Sequence, residues 1–371
     1  MSKQLKSMGA SFDWSRKVET TDPEYYKWTQ WVFLKFYKKG LAYRDKTKVN
    51  WCPKDKTVLA NEQVVDGHCD RCGTEVLQKE LTQWMFKITK YADSLYDDID
   101  VLDWPETTKL AQKNWIGRSE GLLFTAAVKD TSLKVQTFSA HFESFYADTF
   151  VVIAPDHPFL SALVAGTKDA KKVLDFAESL IQKKMKEGPG VEREPEGIFT
   201  GRYIVDPVGN GDLPIWIANY AIADYGTGIV KASAHDERDF AFAKKYKIRL
   251  KPVLFPPDPV EAEKVRKLEI CYTNMQNGLL SEPREFKGKR AGDYRGKIAD
   301  YAVERYFAVR KKNYRLHDWI LSRQRYWGVP IPMINCQKCG HVPVPEKDLP
   351  IQLPPLEDFR PADDGRSPLA K

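Results

Sequence analysis

The chain has 371 residues, 42% hydrophobic and 12% aromatic. That is enough for about two or three domains with real cores, and it excludes a globally disordered chain. A net charge of +7 suits an acidic partner such as nucleic acid, although most Lys and Arg only solvate a surface; no apolar run nears the roughly 20 residues of a membrane helix, and the opening MSKQLKSMGASFDWSR lacks a signal's apolar segment, so a cytoplasmic chain with no membrane partner is expected.

Residues 23–46 read as a helix. Asp22 suits the N-cap, Pro23 suits the first helical position, and apolar residues recur through WTQWVFLKFYKKGLAY. Residues 49–78 change to short extended runs around turns that carry Cys52, Cys69 and Cys72. Residues 80–97 read as a second helix with Trp84, Ile88, Tyr91 and Leu95 near one face, broken by LDWPE at 102–106. From about 121 the texture is β-rich: LLFTAAV, LKVQTF, FVVIAP, GRYIVDPV, LPIWIANY, GTGIVKA. A helix at 168–187 interrupts it, and KEGPGVEREPEG reads as an exposed loop. The mixed stretch 235–315 holds a helix after His235 and another near 296–312. The spacing divides the chain into 1–48, 49–78, 79–120, 121–315 and 316–371. The fold class is α/β: the flanks read as two edges of one divided domain, and neither has the strand–helix alternation of a complete nucleotide-binding sheet.

Six cysteines occur, four of them in two CxxC pairs, Cys69/Cys72 and Cys336/Cys339. In a long chain without a secretory feature, such pairs favour metal ligation in a reducing compartment. Cys52, Cys69 and Cys72 supply three ligands of a structural zinc site; Asp55 or His68 would be the fourth, and an empty knuckle held by packing is the alternative. Cys336 and Cys339 form half a site: either they bind nothing here, or a second pair lies beyond Lys371. Gly226-Thr227-Gly228 lets backbone approach a ligand closely, and Asp239 in the following HDERD run could fix an ammonium group; a turn with a helix start explains the same residues. Arg323 and Arg325 in SRQRYWG suit phosphate and base contacts, or a plain surface segment.

Taken in order, these runs resemble a family. NWCPKDKTVLANEQVVDGHCDRCGTEV, KELTQWMFKITKYAD, NWIGRSEG, GIFTGRYIVDPV, IWIANYAIADYGTGIVKASAHDERDFAFAKKY and YRLHDWILSRQRYWG are similar to bacterial-type leucyl-tRNA synthetases over nearly the whole chain. The resemblance implies a divided Rossmann-type catalytic domain with a zinc-ribbon-like knuckle and an inserted α/β-barrel editing domain at 121–315. It implies an enzyme, a leucine–tRNA ligase, with ATP, Mg and leucine as reactants of the full-length protein, tRNA-Leu as partner and a monomeric state. An apolar pocket rejects a close isostere by only about 1–3 kcal/mol, so a hydrolytic second sieve is physically needed.

Carried over residue by residue, Asp239 falls on the aspartate that holds the amino group of a mischarged amino acid. The glycines of the GTG run and Thr227 match too. Where the family reads TTRPDT, this chain has Ser139, Ala140, His141, Phe142, Glu143 and Ser144. Ser139 and Ser144 keep hydroxyls, and the smaller Ser144 loosens the block that a threonine sets against leucine. His141 replaces an arginine; it reads as a phosphate or ribose contact, with a base toward water as the alternative. Neither the HIGH-type nor the KMSKS-type signature occurs in the 371 residues. The expectation is therefore a fragment unable to activate leucine by itself. A free-standing deacylase and a non-catalytic tRNA-binding module are the alternatives.

Overall fold

The computed structural model describes residues 2–60, 63–187, 194–223, 226–323, 326, 328–360 and 367–370. Contacts divide the chain into two units, Met1–Lys90 with His317–Lys371, and Tyr91–Leu316. The first unit thus joins the two flanks, and the division runs through the middle of 79–120.

In the first unit, helix α1 is Pro23–Lys38, with the Asp22 carboxylate accepting from the Glu24 amide as the N-cap. It buries Tyr26, Gln30, Phe33 and Leu34, a stripe at helical spacing. The expected continuation to 46 is wrong. Gly40 takes φ +66°, which ends the helix, and strand β1 follows at Ala42–Cys52. After the three-residue β2, Thr57–Leu59, comes β3, Leu77–Phe86. It pairs antiparallel with β1 from Ala42↔Phe86 to Trp51↔Leu77. The expected helix over 80–97 is therefore wrong in its first half; only the 3₁₀ turn Ile88–Tyr91 and helix Ala92–Asp97 remain helical. Trp84 and Met85 are buried by the sheet, through pairing that local periodicity cannot register. The short strand Trp319–Ile320 adds to β3. Gln30 staples the flanks inside this unit: its amide donates to the Pro330 and Ile351 carbonyls at 3.0 and 2.9 Å, and its oxygen accepts from the Ile351 amide at 3.0 Å.

The second unit opens with the helix Ala92–Asp97, followed by helix α2, Glu106–Ile116. Then come β4, Ser119–Val128; β5, Lys134–Ser139; β6, Asp148–Ile153; helix α3, Ala170–Glu187; β7, Gly197–Val205; β8, Asp212–Ala218; and β9, Ile229–Ser233. Helix α4, Glu237–Tyr246, helix α5, Ala291–Glu304, and β10, Ala308–Asn313, complete it. The seven strands form one sheet ordered β9-β6-β8-β7-β4-β10, with β5 also on β4. All pairs are antiparallel except β6 with β8. A Cβ at Gly226 would lie 3.3 Å from Phe138 Cβ, so the approach to β9 meets the end of β5, as closure into a barrel requires.

The β-run FVVIA reads as continuous because both faces of β6 are covered. Val151 and Ile153 pack with Leu160, Leu163, Val173 and Ala177, while Phe150 and Val152 pack with Phe242 and Ala243 of α4. The helix expected near 296–312 starts earlier and stops at Glu304. Tyr306 turns the chain at φ +59°, and 308–313 joins β4; no Gly or Pro signals that reversal. The exposed loop expected at KEGPGVEREPEG falls largely outside the described residues. Among the described residues no helix is long and apolar enough to cross a membrane.

Candidate functional site

Two sites emerge, one in each unit. In the first unit, the turn after β1 and the hairpin Val64–Val65/His68–Cys69 bring Cys52, Asp55, Cys69 and Cys72 together, with ligand atoms all within 4.8 Å of one another. Cys52 Sγ and Cys72 Sγ are 3.4 Å apart, and Cys69 Sγ lies 3.7 Å from Asp55 Oδ2. A tetrahedral zinc with Zn–S of about 2.3 Å and Zn–O of about 2.0 Å needs S···S of about 3.8 Å and S···O of about 3.5 Å. The donor set fits with small adjustment. Burial pushes the Cys52 thiol up to about 11, while hydrogen bonds from Thr74 hold Cys72 below its ordinary value. His68 stays outside: it is exposed, and its Nδ1 lies 2.8 Å from the Asp66 carbonyl. Cys336 and Cys339 sit at the turn of the hairpin Met333–Cys336/Gly340–Pro343, and no third ligand joins them among the described residues.

In the second unit, Asp239 lies in the first turn of α4 and is 8% exposed. Asp236 caps that helix, accepting from the Arg238 and Asp239 amides at 2.9 and 3.1 Å. The Asp239 carboxylate accepts from the Tyr220 hydroxyl at 3.0 Å and from the Ser233 amide at 3.4 Å. Among the described residues no cationic side chain pairs with it. Burial first, then the nearby Asp236 charge, push its carboxyl up to about 7. A buried carboxyl near neutrality, with no cation paired to it among the described residues, is a candidate ligand-binding group.

The other expected residues lie on either side of β9. Ser233, at its end, pairs with Asp148, which closes the 3₁₀ segment Phe142–Ala147 holding the buried Ser144. Asp239 and the Ser144 segment therefore share one end of β9. Thr227 stands two residues before the other end of the strand, and the strand itself spans about 13 Å at 3.3 Å per residue. There Gly226 faces Phe138, the neighbour of Ser139. The Thr227 hydroxyl donates to the Ile229 carbonyl at 2.8 Å, closing its own turn, so the structure separates it from Asp239. His157 clamps this turn: Nε2 donates to the Thr227 carbonyl at 2.9 Å, and Nδ1 accepts from the Phe159 amide at 3.1 Å. His141 is exposed. Glu143, beside it, is buried and ion-paired with Arg295, which also donates to the Ala140 carbonyl at 2.8 Å. Arg323 donates to the Ile320 and Ser322 carbonyls at 2.9 and 3.1 Å; Arg325 falls outside the described residues.

Residues 113–303 match the family model for the leucyl-tRNA synthetase editing domain. Residues 1–121 match that of class I tRNA synthetases for I, L, M and V. The chain belongs to the leucyl-tRNA synthetase family. It is 48% identical over its whole length to the leucine–tRNA ligase of Clostridium beijerinckii and 47% identical over 99% of its length to that of Thermosipho melanesiensis, spanning 44% of each. The solved structure of Agrobacterium radiobacter K84 agnB2 LeuRS, a ternary complex with tRNA and LeuAMS, superposes with a TM-score of 0.76 at 33% identity, covering 95% of this chain and 40% of that one. The mixed α/β fold is that of the synthetase, and its editing-domain match lies within the second unit.

Two buried groups of the second unit were not expected as site residues, Lys231 and, within the HDERD run, His235. Lys231, in the middle of β9, is buried with its ammonium 2.8 Å from Asp148 and 3.2 Å from Asp206, over the Phe124 ring at 3.9 Å. Burial pushes the Asp148 carboxyl up to about 6 against the pull of Lys231. His235 is the other. Its Nδ1 donates to the Tyr272 carbonyl at 2.8 Å, and its Nε2 accepts from the Val253 and Leu254 amides at 3.0 and 3.1 Å. Burial lowers its pKa to about 4, so it is a neutral pillar, not a base. Its stabilisation is complete above the ordinary 6.5 and is lost as pH falls toward 4. His235→Gln is therefore expected to be destabilised at pH 7, with its deficit against wild type shrinking by roughly 2 kcal/mol at pH 5; urea denaturation at the two pH values checks this.

Proposed function

We propose that this chain is part of a leucine–tRNA ligase, and that its second unit hydrolyses tRNA-Leu carrying a wrong amino acid. The whole protein would join leucine to tRNA-Leu with ATP and magnesium; neither signature that handles ATP occurs in these residues. The observation that carries the editing reading is Asp239, buried and, among the described residues, in no ion pair, its carboxyl pushed up to about 7 by burial. It would take the α-ammonium of the esterified amino acid by a charge-assisted hydrogen bond. Water would attack the ester carbonyl, the ester C–O bond would break, and the tRNA terminal hydroxyl would leave. Ser144, at the same end of β9, would border the amino-acid side chain, and Ser139 the terminal ribose. His141, exposed, suits a phosphate of the acceptor end. The test is hydrolysis of isoleucyl-tRNA-Leu by the chain. Turnover above the uncatalysed rate supports the reading; tight, salt-sensitive tRNA binding without turnover points instead to a binding module.

We also propose zinc on Cys52, Asp55, Cys69 and Cys72, where it would supply a structural cross-link between the two turns. The protein as purified should contain one zinc per chain by elemental analysis. A chelator should lower the unfolding temperature of the first unit. Asp55→Cys should hold the metal against at least about tenfold more chelator, since thiolate is the softer ligand. Equal retention by both proteins contradicts Asp55 as the fourth ligand.

A further inference from the structure

Asp239 has two carboxylate oxygens in unequal surroundings. Oδ1 accepts the Tyr220 hydroxyl at 3.0 Å, a short and well-formed bond. Among the described residues, Oδ2 accepts only from the Ser233 amide, at 3.4 Å. Tyr220 stands two residues beyond β8, on the connection leading to the GTG turn. Its ring is held edge-on by Phe242 of α4 at 5.7 Å, so the hydroxyl approaches from a fixed direction. The Arg238 guanidinium lies over the same ring at 5.8 Å and does not reach the carboxylate. Both donors to Asp239 are neutral and come from the strand side of α4.

We propose that Tyr220 is a positioning residue: its hydroxyl pins Oδ1 of Asp239, so that Oδ2, loosely held, is the oxygen presented to a substrate ammonium. This rests on the editing reading above and adds to it the residue that aims the carboxylate. Without the pin, the carboxyl group rotates about its last side-chain bond and its charged form loses its best donor. Among the described residues, the other charged or titratable groups acting on Asp239 are Asp236 and Arg238 on its own helix and Cys271 opposite; none of them is hydrogen-bonded to its carboxylate. Tyrosine was not singled out by motif, because its ring alone satisfies the apolar pattern of LPIWIANY.

Tyr220→Phe keeps the ring against Phe242 and removes only the hydroxyl. The Asp239 carboxyl is followed by carbon NMR of selectively labelled protein, without tRNA, and its titration midpoint should rise by about one pH unit. In hydrolysis of isoleucyl-tRNA-Leu, KM should rise about tenfold with kcat within about twofold, the pattern of weakened ground-state and transition-state binding alike. A Tyr220→Phe midpoint equal to the wild type's overturns the proposal, whatever the hydrolysis assay gives. A raised midpoint with unchanged KM also overturns it. If the wild type hydrolyses nothing, the editing reading fails separately, and the titration still decides whether Tyr220 pins Asp239. A merely structural tyrosine would change the unfolding temperature and leave the midpoint and KM in place.

Discussion

Asp239→Ala is expected to lower kcat/KM for hydrolysis of isoleucyl-tRNA-Leu at least about a hundredfold, the loss of a charge-assisted hydrogen bond worth about 3 kcal/mol. The same residue should show the opposite sign in stability. Its carboxyl is lifted from 3.8 to about 7, so the native state holds the proton more tightly than the unfolded chain. That contribution is fully present below 3.8 and is lost as pH rises through 7. Above pH 7 the ionised group costs up to roughly 4 kcal/mol. Asp239→Asn should therefore be more stable than wild type at pH 8, by about 2 kcal/mol once the mismatch of its amide with the Ser233 N–H is deducted, and close to wild type at pH 4. A site residue whose neutral replacement stabilises the fold is serving a ligand. For hydrolysis, KM should fall as pH rises through about 7, and rise again above about 8 as the substrate's α-amino group loses its proton.

The largest loss of stability should follow Lys231→Met. It leaves Asp148 and Asp206 buried side by side without their cation, and breaking a buried ion group by removing one partner costs about 3–5 kcal/mol. Fluorescence of Trp216 and circular dichroism during guanidinium unfolding would read this. Adding Asp148→Asn and Asp206→Asn to Lys231→Met should recover most of the loss, because the uncompensated charges are then gone; Asp206 also accepts from the Asn210 amide at 3.3 Å, a bond that asparagine can keep. A Lys231→Met protein within about 1 kcal/mol of wild type would show that the ion group is solvated, contrary to its burial.

What was legible in the sequence is what depends on neighbours along the chain. Asp22 and Pro23 fix the start of α1, the Asp236 cap fixes the start of α4, and the apolar run of β6 marks a strand covered on both faces. The three cysteines of the knuckle were legible as well, but the choice between Asp55 and His68 was not: it depends on which way two turns fold onto each other. Residues 42–46 and 80–86 were misread as helix because each segment's apolar residues fit helical spacing, while their partner is more than thirty residues away. Tyr306 turns the chain with a residue that ordinarily avoids positive φ. Lys231 and Tyr220 escape for a related reason. A lysine in a strand normally marks solvent, and only the fold reveals that two distant aspartates meet it; a tyrosine in an apolar run normally marks core, and only the fold aims its hydroxyl at Asp239. The rewritten hydroxyl strand was visible as sequence, whereas the Arg295–Glu143 pair that sets its path was not.

The substrate's ammonium group is the proposed partner of Asp239. The most direct measurement compares hydrolysis of isoleucyl-tRNA-Leu with that of its α-hydroxyacyl counterpart, which has the same side chain and ester but no amine, by wild type and by Asp239→Ala. The wild type should prefer the amine by about a hundredfold, and Asp239→Ala should treat the two alike. The same amine preference in both proteins would contradict Asp239 as the ammonium's partner.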